Sequence, residues 1–432
     1  MDRPDIAEQM RSDWNRRALE DAGYYVAFGR RGQDEAEFTA TARDVIRGLE
    51  RELGHLGPLA SLGGKRALEI GCGPGRLMLP LSRHFGEIHG VDVSDEMIRL
   101  ARERLRDAPR AHAHVGGGSD LAGFEDESFD FVYSYAVFQH IPAREVVFDY
   151  LREACRVLRS DGLMYCQLNG LPKTAARYDT WSGVRVDRDE VIGFARENGL
   201  QLLALEGAST QYMWVTARKR APGAEPGPAG PATRLRRITN TYSSEPVAPR
   251  GGRFAAISLW VESLPPECDI VDLKVSVGSR EGSLSYIGPP AVDGLRQLNA
   301  GLPSPIETGI HPVRLWWRGA PLTQEAPLRV VPPGPAVPRL ISLTDGIDLL
   351  STTRITSGVV KVTFEELDRP SELIAAMDGE PLRILEIFCT DPQPPRFEIN
   401  LEVPRSIPNG PRLLRMRIGQ RQFPPVAVDI CS

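Results

Sequence analysis

The chain has 432 residues, of which 41% are hydrophobic and 25% charged, and its formal net charge is -5 at pH 7. This length predicts about two to four domains, and the composition is that of a folded globular protein, not of a disordered, collagen-like or disulfide-dense chain. The net charge is weakly negative and no basic run of five or more residues occurs, which argues against nucleic-acid binding. The amino terminus is charged, which argues against a signal peptide, and no long apolar stretch follows, which argues against a membrane span.

Strand and helix patterns alternate along residues 1–220. A long amphipathic stretch covers Asp34–Leu53, and short apolar runs then alternate with segments whose apolar residues recur every three or four positions. The predicted strands are Ala67–Ile70, Glu87–Val91, Ala111–Val115, Phe129–Tyr135, Gly162–Leu168, Leu200–Leu205 and Gln211–Ala217. The predicted helices between them are Gly75–Phe85, Asp95–Asp107, Ala143–Arg159 and Asp187–Asn198. This alternation predicts a mostly parallel sheet that is covered by helices on both faces.

The first predicted strand runs into a glycine-rich turn. Residues 67–77 read ALEIGCGPGRL, with glycines at 71, 73 and 75. A GxGxxG dinucleotide fingerprint requires glycine at position 76, where this chain has Arg76, so an NAD site fits poorly. Glycines let the backbone turn sharply and approach a ligand, and Glu69 can accept a hydrogen bond from a charged ligand amine. The alternative is a tight strand-to-helix turn without a ligand.

The second predicted strand ends in an acidic residue, in the segment GVDVS at 90–94. The Asp92 carboxylate can accept hydrogen bonds from two vicinal hydroxyls, which a neutral side chain does less well. Alternatively, Asp92 caps the helix that opens near Asp95, although Ser94 is better placed for that role.

These segments together resemble the class I S-adenosylmethionine (SAM)-dependent methyltransferases. The E-x-G-x-G-x-G spacing is similar to motif I of that family. Residues 116–142, with DESFD at 126–130, and the helix ending in RVL at 156–158 resemble the methyltransferase type 11 family, with Asp161 in place of the family's usual glycine. The resemblance covers about residues 35–217. It implies an α/β fold with a Rossmann-like seven-stranded sheet and SAM as the cofactor.

The resemblance also implies which residues bind the cofactor. Asp92 would bind the ribose hydroxyls, Met97 would cover the adenine face unless it is simply a core residue, and Tyr135 would lie under the methionine end. The family's adenine-binding acid falls on Gly118 here, so Ser119 and Asp120 are the substitutes. The predicted cofactor-binding residues are Glu69, Gly71, Cys72, Gly73, Gly75, Asp92, Val93, Met97, Ser119, Asp120 and Tyr135.

Methyl transfer from a sulfonium is a direct displacement, so the enzyme must mainly align the reactants and exclude water. His140 is the candidate base, and its alternative is a structural hydrogen bond to a backbone carbonyl. His112 and His114 alternate on one strand face, with no third histidine or carboxylate expected nearby, so they are interpreted as surface positions and no metal site is predicted.

Two segments are candidates for binding the methyl acceptor. The resemblance implies a lid in the segment from Trp14 to Arg31, whose alternative is a helix packed on the sheet. The insert 171–188 follows the fifth strand and offers aromatic surfaces for stacking. The predicted substrate and lid residues are Trp14, Tyr24, Tyr25, Phe28, Tyr178 and Trp181. The predicted acceptor is a small organic molecule.

Beyond residue 220 the pattern changes to short strands between proline and glycine turns. Residues 221–233, which are rich in proline and glycine, predict an extended linker. The predicted strands include Ala255–Glu262, Leu273–Val277, Val313–Trp317 and Leu328–Val331. Residues 277–278, 302–303 and 309 recur at 378–379, 403–404 and 410, and residues 313–319 resemble 413–419. This repeat predicts two all-β immunoglobulin-like sandwich domains, at 234–335 and 336–432.

The adjacent Trp316 and Trp317 should point to opposite faces of a strand. An exposed tryptophan there could mark a glycan or protein contact through the β modules, or packing against a neighbouring domain. The six cysteines show no CxxC or Cys/His metal spacing, and no N-x-S/T triplet occurs, which predicts a reduced, cytoplasmic protein without a metal or a disulfide.

The sequence therefore predicts a SAM-dependent methyltransferase domain at 1–220, a linker at 221–233 and two β modules. The alternative is a protein that binds SAM without catalysis and acts as a scaffold through its β modules. The intact glycine turn and Asp92 favour the enzyme.

Overall fold

The computed structural model describes residues 3–27, 31–174, 177–221, 232–252, 254–334, 337–347, 353–367, 369–391 and 396–431. Contacts divide the chain into two compact units. The first unit comprises Met1–Ala22 and Ala42–Pro333, and the second comprises Gly23–Thr41 and Gly334–Ser432.

The first unit contains a seven-stranded sheet with Rossmann-like topology, in the strand order β3-β2-β1-β4-β5-β7-β6. β1 pairs in parallel with β2 and β4, whereas β7 runs antiparallel to both of its neighbours. The strands are β1 Arg66–Ile70, β2 Glu87–Asp92, β3 Ala111–Val115, β4 Phe129–Ser134, β5 Leu158–Leu168, β6 Leu200–Glu206 and β7 Met213–Lys219. The mostly parallel sheet predicted from the sequence is confirmed.

The helices of the chain are α1 Arg3–Ala27, α2 Glu35–Ala40, α3 Arg43–Leu53, α4 Met78–Leu81, α5 Asp95–Arg104, α6 Arg144–Val157 and α7 Arg188–Glu197. α1 is kinked at Asp21, whose backbone leaves helical geometry. The single stretch predicted at Asp34–Leu53 is two helices, because the chain turns at residues 41–42. None of the described helices is long and apolar enough to cross a membrane.

Two apolar layers cover the sheet, one on each face. On one face α3, α4 and α5 bury side chains such as Leu53, Met78 and Ile98, which share a core cluster. On the other face α6 and α7 bury Leu151 and Phe194. The carboxyl ends of β1, β2 and β4 are therefore held between two packed layers, which fixes the positions of the loops that follow them.

The first β module belongs to the same compact unit as this sheet. Its strands are β8 Arg234–Asn240, β9 Val247–Pro249, β10 Ala256–Glu262, β11 Leu273–Val277, β12 Arg280–Pro290, β13 Arg296–Gly301, β14 Gly309–Trp317, β15 Ala320–Pro321 and β16 Ala326–Val331. β12 pairs with β6 through Tyr286 and Ala204, so both halves of the unit join one sixteen-stranded sheet. The Trp316 indole donates to the Ser276 hydroxyl at 2.9 Å, and Trp317 packs against the core.

A buried carboxylate lies at the joint between the seven-stranded sheet and this β module. Glu52 of α3 is 1% exposed, and its oxygens accept hydrogen bonds from the Tyr286 hydroxyl at 3.2 Å and the Thr216 hydroxyl at 3.1 Å. The Gln201 amide donates to the carbonyls of Pro266 and Cys268, at 2.6 and 2.8 Å. Specific polar contacts therefore hold residues 234–331 against the sheet. Most of the predicted linker, residues 222–231, lies outside the described residues, and the predicted domain boundaries stay a prediction.

The second unit contains α2 and a nine-stranded sheet that repeats the first β module. Its strands are β17 Arg339–Asp345, β18 Arg354–Ile355, β19 Val359–Glu365, β20 Leu373–Met377, β21 Glu380–Asp391, β22 Arg396–Glu402, β23 Gly410–Ile418, β24 Arg421–Gln422 and β25 Val426–Ile430. Their order, β17-β19-β22-β21-β20-β23-β25-β18, matches β8-β10-β13-β12-β11-β14-β16-β9 strand for strand. The predicted internal repeat is therefore present in the topology. Both copies are β-rich.

Candidate cofactor and acceptor site

The glycine turn after β1 adopts backbone angles that suit glycine. Gly71, Gly73 and Gly75 have φ values of 72°, 50° and 78°, in the left-handed region. A Cβ on Gly71 would lie 2.3 Å from Cγ2 of Val137, so no side chain fits there. The amides of Gly71 and Cys72 both donate to the Val91 carbonyl, at 2.8 and 2.9 Å, which ties the turn to the end of β2.

The Asp92 carboxylate joins this turn to the next loop. Its Oδ2 accepts from the Gly73 amide and its Oδ1 from the Ser94 amide, both at 2.9 Å. Burial raises the pKa of Asp92 to about 6, although these amides act in the opposite direction. The cap of α5 is Ser94, whose Oγ accepts from the Met97 amide at 3.1 Å, so Asp92 is not the cap.

The Glu69 carboxyl group is buried one strand away. It accepts a hydrogen bond from the Tyr133 hydroxyl at 2.8 Å, and burial raises its pKa to about 8. The buried Arg76 guanidinium lowers this pKa in part. A nearby positive charge favours the ionised form of a carboxyl group, so the Glu69 carboxyl group can lose its proton when a cationic ligand group approaches.

Three further predicted cofactor residues lie beside the turn. Met97 is 1% exposed and Cys72 is 3% exposed, whereas Val93 is half-buried. Burial raises the pKa of the Cys72 thiol. The structure therefore shows Met97 as a core residue of α5, one of the two roles considered from the sequence, and its adenine contact stays a prediction.

The loop after β3 would face the adenine in the predicted arrangement. Gly118 has a φ of 97°, and a Cβ on it would lie 2.9 Å from the Cβ of Ala7 in α1. An aspartate at this position, as the family resemblance would require, therefore has neither the backbone angle nor the space. Asp120 is exposed, and its Oδ1 accepts from the Ala122 amide at 3.1 Å, while Ser119 is half-buried.

Tyr135 lies just beyond β4, in an aromatic stack. Its ring is stacked on Trp214 with centroids 5.7 Å apart, and Trp214 is stacked on Tyr165 at 4.7 Å. The next residue, Ala136, has a φ of 56° and donates its amide to Oε1 of the buried Gln167 at 2.9 Å. The stack fixes Tyr135 at the carboxyl edge of the sheet.

His140, the predicted base, is buried with both ring nitrogens near protein partners. Nδ1 lies 3.0 Å from the Trp181 carbonyl oxygen, and Nε2 lies 3.2 Å from Nε2 of Gln139. Burial lowers the pKa of His140 to about 4, so the ring is neutral at pH 7, with Nδ1–H donating to the carbonyl. This geometry favours the structural alternative, and the base role stays a prediction.

The predicted lid and the predicted insert meet around His140. The Trp14 ring contacts the His140 ring edge-on at 5.4 Å, and the half-exposed Trp181 ring lies 5.8 Å from it. The buried Arg17 guanidinium lies 4.7 Å from the Trp14 ring centroid and 5.3 Å from that of Trp181.

Polar contacts fasten α1 to the insert at the same place. Arg17 donates to the Thr180 carbonyl at 3.0 Å and to its hydroxyl oxygen at 3.1 Å, and that hydroxyl donates to Asp13 at 2.6 Å. Asp13 and Arg17 lie in no recognisable motif, and their spacing of one helical turn was the only signal for them in the sequence. The half-buried Tyr178 lies in the same insert.

The remaining predicted lid residues fall in the second unit. The rings of Tyr24 and Tyr25 meet edge-on at 5.0 Å, and the Arg31 guanidinium lies 4.5 Å from the Tyr24 ring centroid. Phe28 lies outside the described residues. The role of this segment as a lid stays a prediction.

The prediction that His112 and His114 lack a third histidine was wrong. Parallel pairing of β2 with β3 brings His89 beside them, with its Nδ1 3.1 Å from Nε2 of His114, and Glu87 lies 3.4 Å from Nε2 of His89. The Arg66 guanidinium also lies 3.3 Å from His89, which disfavours a bound cation. Among the described residues no group of three or more His, Cys, Asp or Glu side chains is arranged to hold a metal ion.

Comparisons with known proteins identify the region around this site. Residues 68–166 match the family described as a methyltransferase domain. The chain is 35% identical over 165 residues to phosphoethanolamine N-methyltransferase 2 of Caenorhabditis elegans, covering 36% of this chain and 37% of that protein. It is 31% identical over 150 residues to trans-aconitate 2-methyltransferase of Rhizobium rhizogenes, covering 34% of this chain and 49% of that protein.

Among solved structures, phosphoethanolamine N-methyltransferase 1 of Haemonchus contortus resembles the chain with a TM-score of 0.37 and 17% identity, over 52% of this chain and 51% of that one. The chain thus spans about half or less of the length of these relatives. The family match and the two sequence relatives show that the chain contains a methyltransferase domain.

Proposed function

We propose that the whole chain transfers the methyl group of SAM to a small organic acceptor. The observation that carries this proposal is the Asp92 carboxylate, which two backbone amides hold at the carboxyl end of β2, beside a turn of three left-handed glycines. The names of both sequence relatives refer to small organic acceptors. The alternative of a scaffold without catalysis gains no support from these relatives.

The chemistry of the side chains present fits the cofactor. Asp92 would bind the ribose hydroxyls, and the Glu69 carboxyl group would bind the charged amine, since each lies at the end of one of two adjacent parallel strands. When bound, SAM supplies an electrophilic methyl group. The protein's part would be to orient the acceptor against it and to exclude water, and we assign this role to Trp14, Trp181 and the Arg17–Thr180 contacts, which lie close together.

The ribose assignment is tested by titrating SAM and its product S-adenosylhomocysteine (SAH) into the full chain by calorimetry. Asp92→Ala should weaken binding by about 1.5–3 kcal/mol, the value of hydrogen bonds to a charged group. Asp95→Ala, which removes an exposed carboxylate three residues away, is the matched control and should bind as the wild type does. Unchanged affinity in a folded Asp92→Ala variant would refute the ribose role.

We further propose that residues 234–335 and 336–432 are immunoglobulin-like sandwiches that serve docking or folding. Their shared strand order and the long strand in the middle of each, β12 and β21, support a common ancestry of the two modules. A protein or glycan contact through them, and a cytoplasmic location, are further parts of the proposal. The six free thiols fit a reducing compartment.

A further inference from the structure

One face of α1 contacts two of the loops that the proposed cofactor would touch, those after β2 and β3. Near the amino end of the helix, the Ala7 methyl packs against Gly118 in the loop after β3. One turn later, Nη2 of Arg11 lies 3.4 Å from the Gly116 carbonyl oxygen. Another turn later, Asn15 reaches the loop after β2. Residues 7–15 therefore run along the carboxyl edge of the sheet.

The Asn15 carboxamide makes the shortest of these contacts. Its Oδ1 accepts from the Ser94 hydroxyl at 2.6 Å and from the Glu96 amide at 3.1 Å. The Glu96 amide is one of the first-turn donors of α5, which have no partner within their own helix. The Asn15 side-chain oxygen thus supplies a hydrogen-bond acceptor for a backbone amide at the amino end of α5.

Ser94 passes this contact on to the proposed ribose site. Its hydroxyl oxygen caps α5 by accepting from the Met97 amide, and its own amide donates to Oδ1 of Asp92. Ser94 therefore links Asn15 to Asp92, since its hydroxyl donates to the Asn15 oxygen and its backbone amide donates to the Asp92 carboxylate. A shift of Asn15 would loosen Ser94 and, through it, the carboxylate.

The same part of α1 also contacts residues on the proposed acceptor side of the site. Asp13 and Arg17 flank Asn15 in the sequence and are the residues that fasten Thr180, next to Trp181. Asn15 and Arg17 lie within one helical turn of each other, so a displacement of this turn would disturb both the contact with Ser94 and the contacts with Thr180.

We propose that Asn15 is a positioning residue that couples cofactor binding at Asp92 to closure of α1 over the acceptor side. The inference rests on the proposed function. Asn15 touches neither the cofactor nor the acceptor in this role. It acts through Ser94, and it makes ordering of residues 178–184 depend on an occupied ribose site.

The test uses the full chain with SAH as the probe. Asn15→Ala should weaken SAH binding about tenfold, since two hydrogen bonds are lost. Asn15→Asp keeps the acceptor oxygen, and its charge suits the amino end of α5, so it should bind within about twofold of the wild type. Leu19→Ala changes a side chain of α1 that is 73% exposed and is the matched control.

A second readout separates positioning from a loss of structure. In the wild type, saturating SAH should slow amide hydrogen exchange both in the glycine turn at 71–75 and in residues 178–184. In Asn15→Ala, saturating SAH should still protect the turn but should no longer protect residues 178–184. Thermal unfolding of each variant without ligand shows whether it is folded.

The outcomes distinguish this inference from the proposed function. No SAH binding by the wild type would overturn both. SAH binding by the wild type with equal affinity in Asn15→Ala and Leu19→Ala would overturn only the inference. Equal weakening by Asn15→Ala and Asn15→Asp, or unchanged protection of residues 178–184 in Asn15→Ala, would also overturn it.

Discussion

The two carboxyl groups of the site, Glu69 and Asp92, differ in the partners that hold them. Glu69 has the Tyr133 hydroxyl, whereas Asp92 has two backbone amides in fixed positions. Burial raises both pKa values, to about 8 for Glu69 and about 6 for Asp92. The backbone amides favour the charged form of Asp92, whereas burial favours the neutral form of both carboxyl groups.

This difference predicts how stability depends on pH. The pKa of Glu69 is 4.5 in the unfolded reference and about 8 in the folded protein, so its contribution to stability is lost as the pH rises towards 8. In Glu69→Gln the amide oxygen still accepts from Tyr133 but cannot titrate. Between pH 6 and 8, the thermal midpoint of the wild type should fall at least about 2–4 °C further than that of Glu69→Gln, the shift expected for about 1 kcal/mol. Parallel midpoints across this range would contradict the assignment.

Backbone geometry that depends on neighbours in the sequence was predictable. The glycines at 71, 73 and 75 and the acid at 92 lie within one turn of a strand end, where spacing alone fixes their neighbours. The turn at Asp161 was also predictable, although aspartate stands there in place of the family's glycine. Asp161 adopts a φ of 63°, an angle that aspartate tolerates. His89 was missed because its partners lie on another strand, and only the β2–β3 register brings them together.

At the level of elements, the packing of α1 limits which side chains fit in the neighbouring loops. The sequence indicated either a lid or a packed helix, and in the first unit α1 packs along the loops after β2 and β3. The resulting contact of Ala7 with Gly118 leaves no room for a side chain at position 118, in the loop after β3. Asn15 and Arg17 could not be foreseen, because their partners are about 80 and 160 residues away and no motif links them.

The packing of α1 against this loop can be tested by substituting glycines. Gly118→Ala should cost about 1–3 kcal/mol, because it combines a left-handed backbone angle with a Cβ 2.9 Å from that of Ala7. Gly123→Ala, in the same loop, meets nothing within 4 Å and should be nearly neutral. Denaturant unfolding of both variants provides the comparison. Equal stability of the two would show that α1 does not press on the loop.

At the scale of the whole molecule, the change of composition near residue 220 did not coincide with a boundary between compact units. The first unit continues to Pro333, and its sheet is extended by β12. The sequence could not reveal this joint, since it depends on single side chains such as Glu52 and Gln201 that contact residues of the β module. The repeat of the β modules was predictable, because similar residues recur about 100 positions apart in the sequence.

Removal of the first β module should therefore destabilise the rest of the chain, whereas removal of the second unit's β module should not prevent folding of the first unit. Residues 1–333 should unfold cooperatively and bind SAH, whereas residues 1–220 should be insoluble or melt at least about 10 °C lower, because Glu52 loses Tyr286 and apolar surface at β6 is exposed. Both truncations lack the second unit's β module, so they differ only in the first module. As a milder variant of the full chain, Tyr286→Phe should cost about 1 kcal/mol. Equal melting temperatures of the two truncations would refute the joint.

The hydrogen bond between Glu52 and Tyr286 also has a consequence for synthesis on the ribosome. The two residues are 234 positions apart. At about 5–20 residues per second, roughly 10–50 s pass between the emergence of the carboxylate and that of its hydroxyl partner. In the last part of this interval, after residue 219 has emerged, the seven-stranded sheet is complete in sequence but Glu52 still lacks its partner Tyr286. The nascent chain should therefore acquire its stable form only after the first β module has left the ribosome.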